Sequence, residues 1–437
     1  MGIFDKFKKD KAPDDTPLSS KIEKTPSLVA VVPKSGSLPE KPDELAEKLL
    51  SLPFIKVISK NERDSGEMEF IVEYKEEEYK LTLFCDIFEL PELFRAEHDF
   101  TEAEIAAMES AKRALYSRMT FGGDNLRSYA LQIKLLCALV DDPAGVADIS
   151  GERILSGRWA KLTANSEVPP APTYLFCIQC VNSDKNGDVW LHTHGLNRCG
   201  SIELEVLNSD TKHFRCLGPV FNTLAANVIT KEPIPDEYQP HFAIRLPDGQ
   251  PIVTTWVRWQ TALRHLPRRI LGGKEDRVNG HNENTGVLFV YPTPEDCEKR
   301  RFAQISRYNK ELENNPMMMI SSEETDRMKS LAIERLDYLK RLFDKRGEYQ
   351  KFAALAKIGL EVDEQYREGD MKEHIWFEIK EFHDDGSFSA ELTQEAYYVE
   401  AIKPGDIKRC TPEELTDWVV YFDNDMINPD SVYRLEE

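Results

Sequence analysis

No apolar run in this 437-residue chain approaches the roughly 20 residues that a helix needs to cross a bilayer. The opening Met1-Gly2-Ile3-Phe4-Asp5-Lys6-Phe7-Lys8-Lys9 has neither the apolar core nor the small-residue cleavage site of a signal peptide. The myristoylation pattern fails at Lys6, where it requires Ser or Thr. With nothing directing export, a cytoplasmic location is expected. Cysteine is sparse and scattered: Cys85, Cys137, Cys177, Cys180, Cys199, Cys216, Cys297 and Cys410. A disulfide scaffold would concentrate them in a short chain, so they read as buried free thiols of a reducing compartment. Familiar catalytic signatures are missing too. There is no Gly-x-Ser-x-Gly elbow and no His-Glu-x-x-His. Leu271-Gly272-Gly273-Lys274-Glu275 lacks the glycine spacing and the Ser or Thr of a phosphate-binding loop.

What is present is ordinary globular composition, 41% apolar and 30% charged, in a chain longer than one hydrophobic core usually serves. Two or three domains are expected. The formal net charge of -21 argues against general binding to nucleic acid or anionic membranes. That charge is unevenly placed. From Glu361 to Glu437, 22 acidic residues face seven basic ones, a net of -15. From Pro251 to Gly280 the sign reverses, with six Arg or Lys against two acids.

Along the chain, residues 1–40 read as a disordered tail rich in Pro, Ser and charge. Within it Ile3, Phe4 and Phe7 share a helical face, a weak candidate for peripheral membrane contact through residues 1–9. A body over 41–312 follows, with candidate halves 41–167 and 173–312 hinged at Val168-Pro169-Pro170-Ala171-Pro172. In the first half, alternation predicts strands at 54–59, 68–74 and 79–85. Helices are predicted from the capping box Thr101-Glu102-Ala103-Glu104 and over 126–140. The second half shows strands at 174–181, 189–193 and 202–207, a helix at 220–229, and strands at 241–246, 252–257 and 287–291. Three strands and a helix thus occur twice, which raises a structural duplication. Residues 313–360 read as a helical connector whose stripe includes Met328, Leu331, Leu336, Leu339, Leu342 and Phe343. Residues 361–437 read as an acidic β-rich domain, barrel-like, with hairpin turns at Asp384-Asp385-Gly386 and Lys403-Pro404-Gly405-Asp406. The fold class is α+β.

Glu373-His374-Ile375-Trp376, Lys403-Pro404-Gly405-Asp406 and Asp417-Trp418 follow one another in an order and spacing that resemble domain of unknown function 2314, a bacterial family. The body, with Trp190-Leu191-His192-Thr193-His194-Gly195-Leu196 and Ile202-Glu203-Leu204-Glu205, is similar to domain of unknown function 4026. The resemblance implies an architecture in which these two are joined. It implies no activity.

Two groups of residues invite chemistry. Cys177-x-x-Cys180, His192-x-His194, Cys199 and His213-x-x-Cys216 suggest zinc, but Leu-Phe-Cys-Ile-Gln-Cys-Val reads as a strand that sends the two thiols to opposite faces. His192 and His194 share one face of a strand, and Glu203 and Glu205 share a face of the next. If the strands pair, two imidazoles and two carboxylates converge as a first shell for a divalent metal; otherwise they form a solvated strand face with the histidines paired to carboxylates. The stretch with Trp256, Arg258, Trp259, Arg264, Arg268 and Arg269 suits either nucleic acid or internal docking against acids.

Two functional readings follow. The first is a non-catalytic interaction protein, antitoxin-like, whose acidic domain engages a protein with a basic surface through Glu373, Trp376, Asp417 and Trp418; it calls for no cofactor, and nucleic acid is not its partner. The second is a metal-dependent hydrolase centred on His192 and His194.

Overall fold

The computed structural model describes residues 22–35, 38–39, 41–182, 188–210, 214–230, 237–246, 249–267, 269–277, 281, 284–314, 317–318, 321–367 and 372–436. The fold is α+β and divides into two units, Met1–Asn165 with Pro172–Ser321, and Ser166–Ala171 with Ser322–Glu437. Among the described residues, no helix is long and apolar enough to cross a membrane.

The larger unit holds two sheets. The first comprises β1 (Ser27–Pro33), β2 (Lys56–Glu62), β3 (Met68–Tyr74), β4 (Glu77–Ile87), β5 (Arg95–Ala96), β6 (Arg113–Met119), β7 (Pro143–Asp148) and β8 (Arg153–Ser156), in the order β2-β3-β4-β6-β1-β7-β8-β5. Neighbours are antiparallel except β5 and β8. Around it lie α1 (Pro42–Leu50), α2 (Glu102–Ser110), α3 (Asn125–Leu139) and α4 (Gly157–Asn165). The expected capping box opens α2: Glu104 N donates to Thr101 Oγ1 at 3.2 Å, and Thr101 N donates to the Glu104 carboxylate at 2.8 Å.

β1 corrects the expected tail. Val29, Ala30, Val31 and Val32 are fully buried, because β1 pairs with both β6 and β7 at the middle of the sheet. An apolar run between Pro26 and Pro33 is the pattern of a strand covered on both faces; averaging composition over 40 residues hid it. Residues 1–21, with the amphipathic turn at 1–9, lie outside the described residues.

The second sheet comprises β9 (Cys177–Asn182), β10 (Asp188–His194), β11 (Glu203–Asp210), β12 (His241–Arg245), β13 (Pro251–Arg258), β14 (Thr285–Tyr291), β15 (Ala303–Gln304) and β16 (Met317–Met318). Its order is β16-β12-β13-β14-β11-β10-β9, with β15 on β14, and α5 (Phe214–Thr230) follows β11. The two sheets share an antiparallel meander, β2-β3-β4 and β9-β10-β11, and differ beyond it: β4 is followed by antiparallel β6, whereas β11 lies parallel to β14. The likeness of the halves is therefore confined to the meander.

Arg198 fastens the two sheets. It sits in the turn after β10 with no exposed side chain, and its guanidinium donates twice to Asp148 at 2.8 Å, to Ser27 Oγ at 3.0 Å and to Leu175 O at 2.6 Å. Tyr129 lies under the same group and its hydroxyl donates to Asp148 at 2.9 Å. A buried pair of this kind persists because bidentate geometry and further hydrogen bonds offset desolvation.

The smaller unit is a six-stranded antiparallel sheet of β17 (Phe352–Glu361), β18 (Lys372–Phe382), β19 (Phe388–Leu392), β20 (Ile407–Cys410), β21 (Leu415–Phe422) and β22 (Asp425–Ile427), ordered β20-β19-β18-β17-β21-β22. It is open, with β20 and β22 at its edges, and so departs from the expected barrel. The expected connector departs as well. Its helical part, α6 (Ser322–Glu334) and α7 (Leu336–Asp344), buries Leu331, Leu339, Leu342 and Phe343 in the core of this unit, and Phe352–Glu361 is a strand with alternate residues buried. Alternation of Ala354, Ala356, Ile358 and Leu360 has the period of a strand, which overrides the helical propensity of its alanines.

Candidate metal centre

β10 places His192 and His194 on one face, two residues apart, as strand period requires. Trp190 stands on the same face, its ring centroid 4.4 Å from that of His192. A third imidazole completes the group. His281 precedes β14, which runs parallel to β11, the neighbour of β10, and its ring lies beside the two β10 histidines. The three ring centroids lie 4.8, 4.8 and 4.9 Å apart with planes near perpendicular, at 77°, 86° and 85°. One ligand nitrogen from each lies within 4.8 Å of the others.

One of these separations has the length two ligands of a single ion would take. Nε2 of His192 and Nε2 of His281 are 3.2 Å apart. That spacing fits one N–H···N hydrogen bond, and it equally fits two lone pairs on one ion. A tetrahedral ion with zinc–nitrogen bonds of about 2.0–2.1 Å sets its nitrogen ligands about 3.3 Å apart. Nε2 of His194 is buried and has no hydrogen-bond partner, so this imidazole keeps an unused ring nitrogen. Burial, then the neighbouring His194, His281 and Arg277, pushes His192 down to about 2; burial and His281 push His194 down to about 4. Both rings are therefore neutral near pH 7, the form that binds metal. A pocket of about 310 Å³ opens on the group, lined also by Thr25, Ser150, Asn197 and Thr285.

The two glutamates expected as ligands line the same pocket but are committed elsewhere. Glu203 is buried and accepts from Thr193 Oγ1 at 2.7 Å, Gly195 N at 2.9 Å and Asn197 N at 3.0 Å. Burial pushes it up to about 7 against those donors. It fixes the turn that follows His194. Gly195 in that turn has φ +118° and a Cβ would lie 2.2 Å from Leu175 O, so only glycine fits. Glu205, opposite His192 in the ladder, pairs with Arg277, and neither side chain is exposed. Arg277 in turn donates to His281 O at 2.9 Å and Thr285 Oγ1 at 3.3 Å. Both carboxylates are therefore engaged by other groups, and the three imidazoles are the candidate ligands.

His281 is the residue that sequence reasoning missed. It has no periodic partner in the sequence, and the β11–β14 parallel pairing brings it to β10. The cysteine alternative is not assembled. Cys177 is buried and Cys180 half-buried on β9, none of the eight cysteines forms a disulfide, and His213 lies outside the described residues. Trp256 of the basic stretch is buried on β13 and offers no open face for a base.

The other candidate surface splits between two environments. Trp418 is fully buried and its Nε1 donates to Ala332 O at 3.1 Å, so it is core. Glu373 is also buried, accepting from Tyr397 N at 2.8 Å and Tyr398 N at 2.9 Å. Trp376 and Asp417 are half-buried on the opposite face, each paired in register with Lys357. Burial pushes the Asp417 carboxyl up to about 6.

Two models of one family, described as protein of unknown function DUF4026, match the larger unit: the N-terminal model over residues 27–170 and the C-terminal model over 178–289. A third, described as an uncharacterized protein conserved in bacteria, DUF2314, matches residues 340–429. No curated protein and no solved structure matches the chain. The sheet that carries all three histidines is the C-terminal DUF4026 region, and the chain belongs to the DUF4026 family, with a DUF2314 module after it.

Proposed function

We propose that this protein holds a divalent transition metal, zinc by ligand chemistry, on His192, His194 and His281, and uses it as a hydrolytic centre. The observation that carries the reading is the convergence of three imidazoles beside an open pocket. Three histidines leave one position of a tetrahedral ion for water, and an ion so held lowers the pKa of bound water to about 7. A structural zinc site would instead close the shell with a fourth side chain; Glu203 and Glu205, the nearest carboxylates by sequence, are engaged by backbone N–H groups and by Arg277. Thr25, Ser150 and Thr285 line the same pocket and give it polar walls suited to a polar substrate. Isothermal titration of zinc into chelator-stripped protein tests this. One ion per chain is expected, with binding lost in His281→Ala; wild-type-like binding by that variant contradicts the site.

A second reading concerns the smaller unit. Tyr397 is 80% exposed, and Tyr366 and Tyr398 are partly exposed and in ring contact. Glu400 accepts from Gln365 at 2.7 Å beside them. Exposed tyrosines in a segment of net charge -15 suit a protein partner with a basic surface. Binding of such a partner should weaken steeply as salt rises.

A further inference from the structure

The metal reading leaves one carboxylate beside the histidines without an assigned role. Glu152 sits in the turn between β7 and β8 of the first sheet, and its Oε1 lies 3.4 Å from Nδ1 of His194 on β10 of the second. The other carboxylate oxygen accepts from Gln179 Nε2 of β9. The backbone at Glu152 is left-handed, φ 49°, a conformation that costs a non-glycine residue free energy and persists where surrounding contacts hold it. Those contacts are present. Gly151 lies against Asp148 and Arg198, and Gly151 N donates to Asp148 Oδ1 at 3.0 Å. One turn of the first half thus grips three residues of the second, Arg198 through Asp148, and His194 and Gln179 through Glu152.

We infer that Glu152 is the positioning carboxylate of the metal centre: it accepts the Nδ1 proton of His194 and so turns Nε2 of that ring, which has no other partner, toward the ion. Histidine ligands commonly donate their second N–H to a carboxylate, which fixes tautomer and ring orientation and raises ligand basicity. Here that carboxylate comes from the N-terminal DUF4026 region while every imidazole comes from the C-terminal one. The metal centre is therefore complete only when the two halves of the larger unit are docked. This inference rests on the metal reading and adds to it a dependence on the first sheet.

The test compares zinc affinity, by competition with a chromophoric chelator, in the full-length wild type, Glu152→Gln and Glu152→Asp, with the visible spectrum of the cobalt(II) form recorded for each. Loss of the charge in Glu152→Gln should weaken zinc by about 10–100-fold and alter the cobalt spectrum. Glu152→Asp, which keeps the charge but withdraws it, should move both in the same direction by less, and it carries the comparison if Glu152→Gln does not fold. Melting in excess chelator separates a packing role, which would lower that temperature and leave the affinity unchanged. Unchanged affinity and spectrum in the variants, with normal wild-type binding, overturn this inference alone. A wild type that binds no zinc overturns it together with the metal reading.

Discussion

At the scale of single residues, the larger unit depends on buried charges whose partners are named. Replacing Glu205 by Ala removes the carboxylate that faces the fully buried Arg277 guanidinium, a change expected to cost about 3–5 kcal/mol in urea unfolding. Because Arg277 holds the His281 carbonyl, the same variant should also lose metal. His98 gives a pH dependence. Its Nδ1 accepts from Ser156 N at 3.0 Å, its ring packs against Trp159 and Tyr174, and burial, then Arg153 and Arg158, pushes it down to about 3. The unfolded chain takes up this proton near pH 6.5 and the folded chain does not, so the stabilisation is full above pH 6.5 and is lost on acidification toward 3. The slope contributed is up to about 1.4 kcal/mol per pH unit. Urea midpoints at pH 7.5 and 5.5 should fall apart less in His98→Asn than in the wild type; equal slopes would show that His98 does not titrate as described.

At the scale of elements, sequence period located most of the second sheet and the meanders, because β3 and β10 alternate cleanly. β1 was hidden by the polar residues around it, and β17 by alanines that read as helix. The candidate site was half legible. Strand period put His192 and His194 on one face, but it gave no account of which acids were already spent, and pairing between β11 and β14 is a long-range event that no local pattern around His281 announces. The smaller unit supplies its own check. Trp418 joins β21 to α6 through Ala332 O, so Trp418→Ala should destabilise that unit by about 3–5 kcal/mol. An exposed interaction residue would instead leave stability unchanged. Gly195→Ala, at the turn of φ +118° against Leu175 O, should impair folding of the larger unit and metal uptake together.

At the scale of the whole molecule, every proposed ligand lies in the larger unit, and metal binding should appear as stability of that unit. Free zinc at 100 times its dissociation constant would add about 2.7 kcal/mol, seen as a rise in melting temperature that chelator reverses. The central claim is three imidazoles on one ion. X-ray absorption at the zinc edge of the loaded protein addresses it directly. The expected first shell is three nitrogens from imidazole and one light atom, at about 2.0–2.1 Å, with no sulfur. A zinc–sulfur distance near 2.3 Å, or fewer than three imidazoles, would contradict the account.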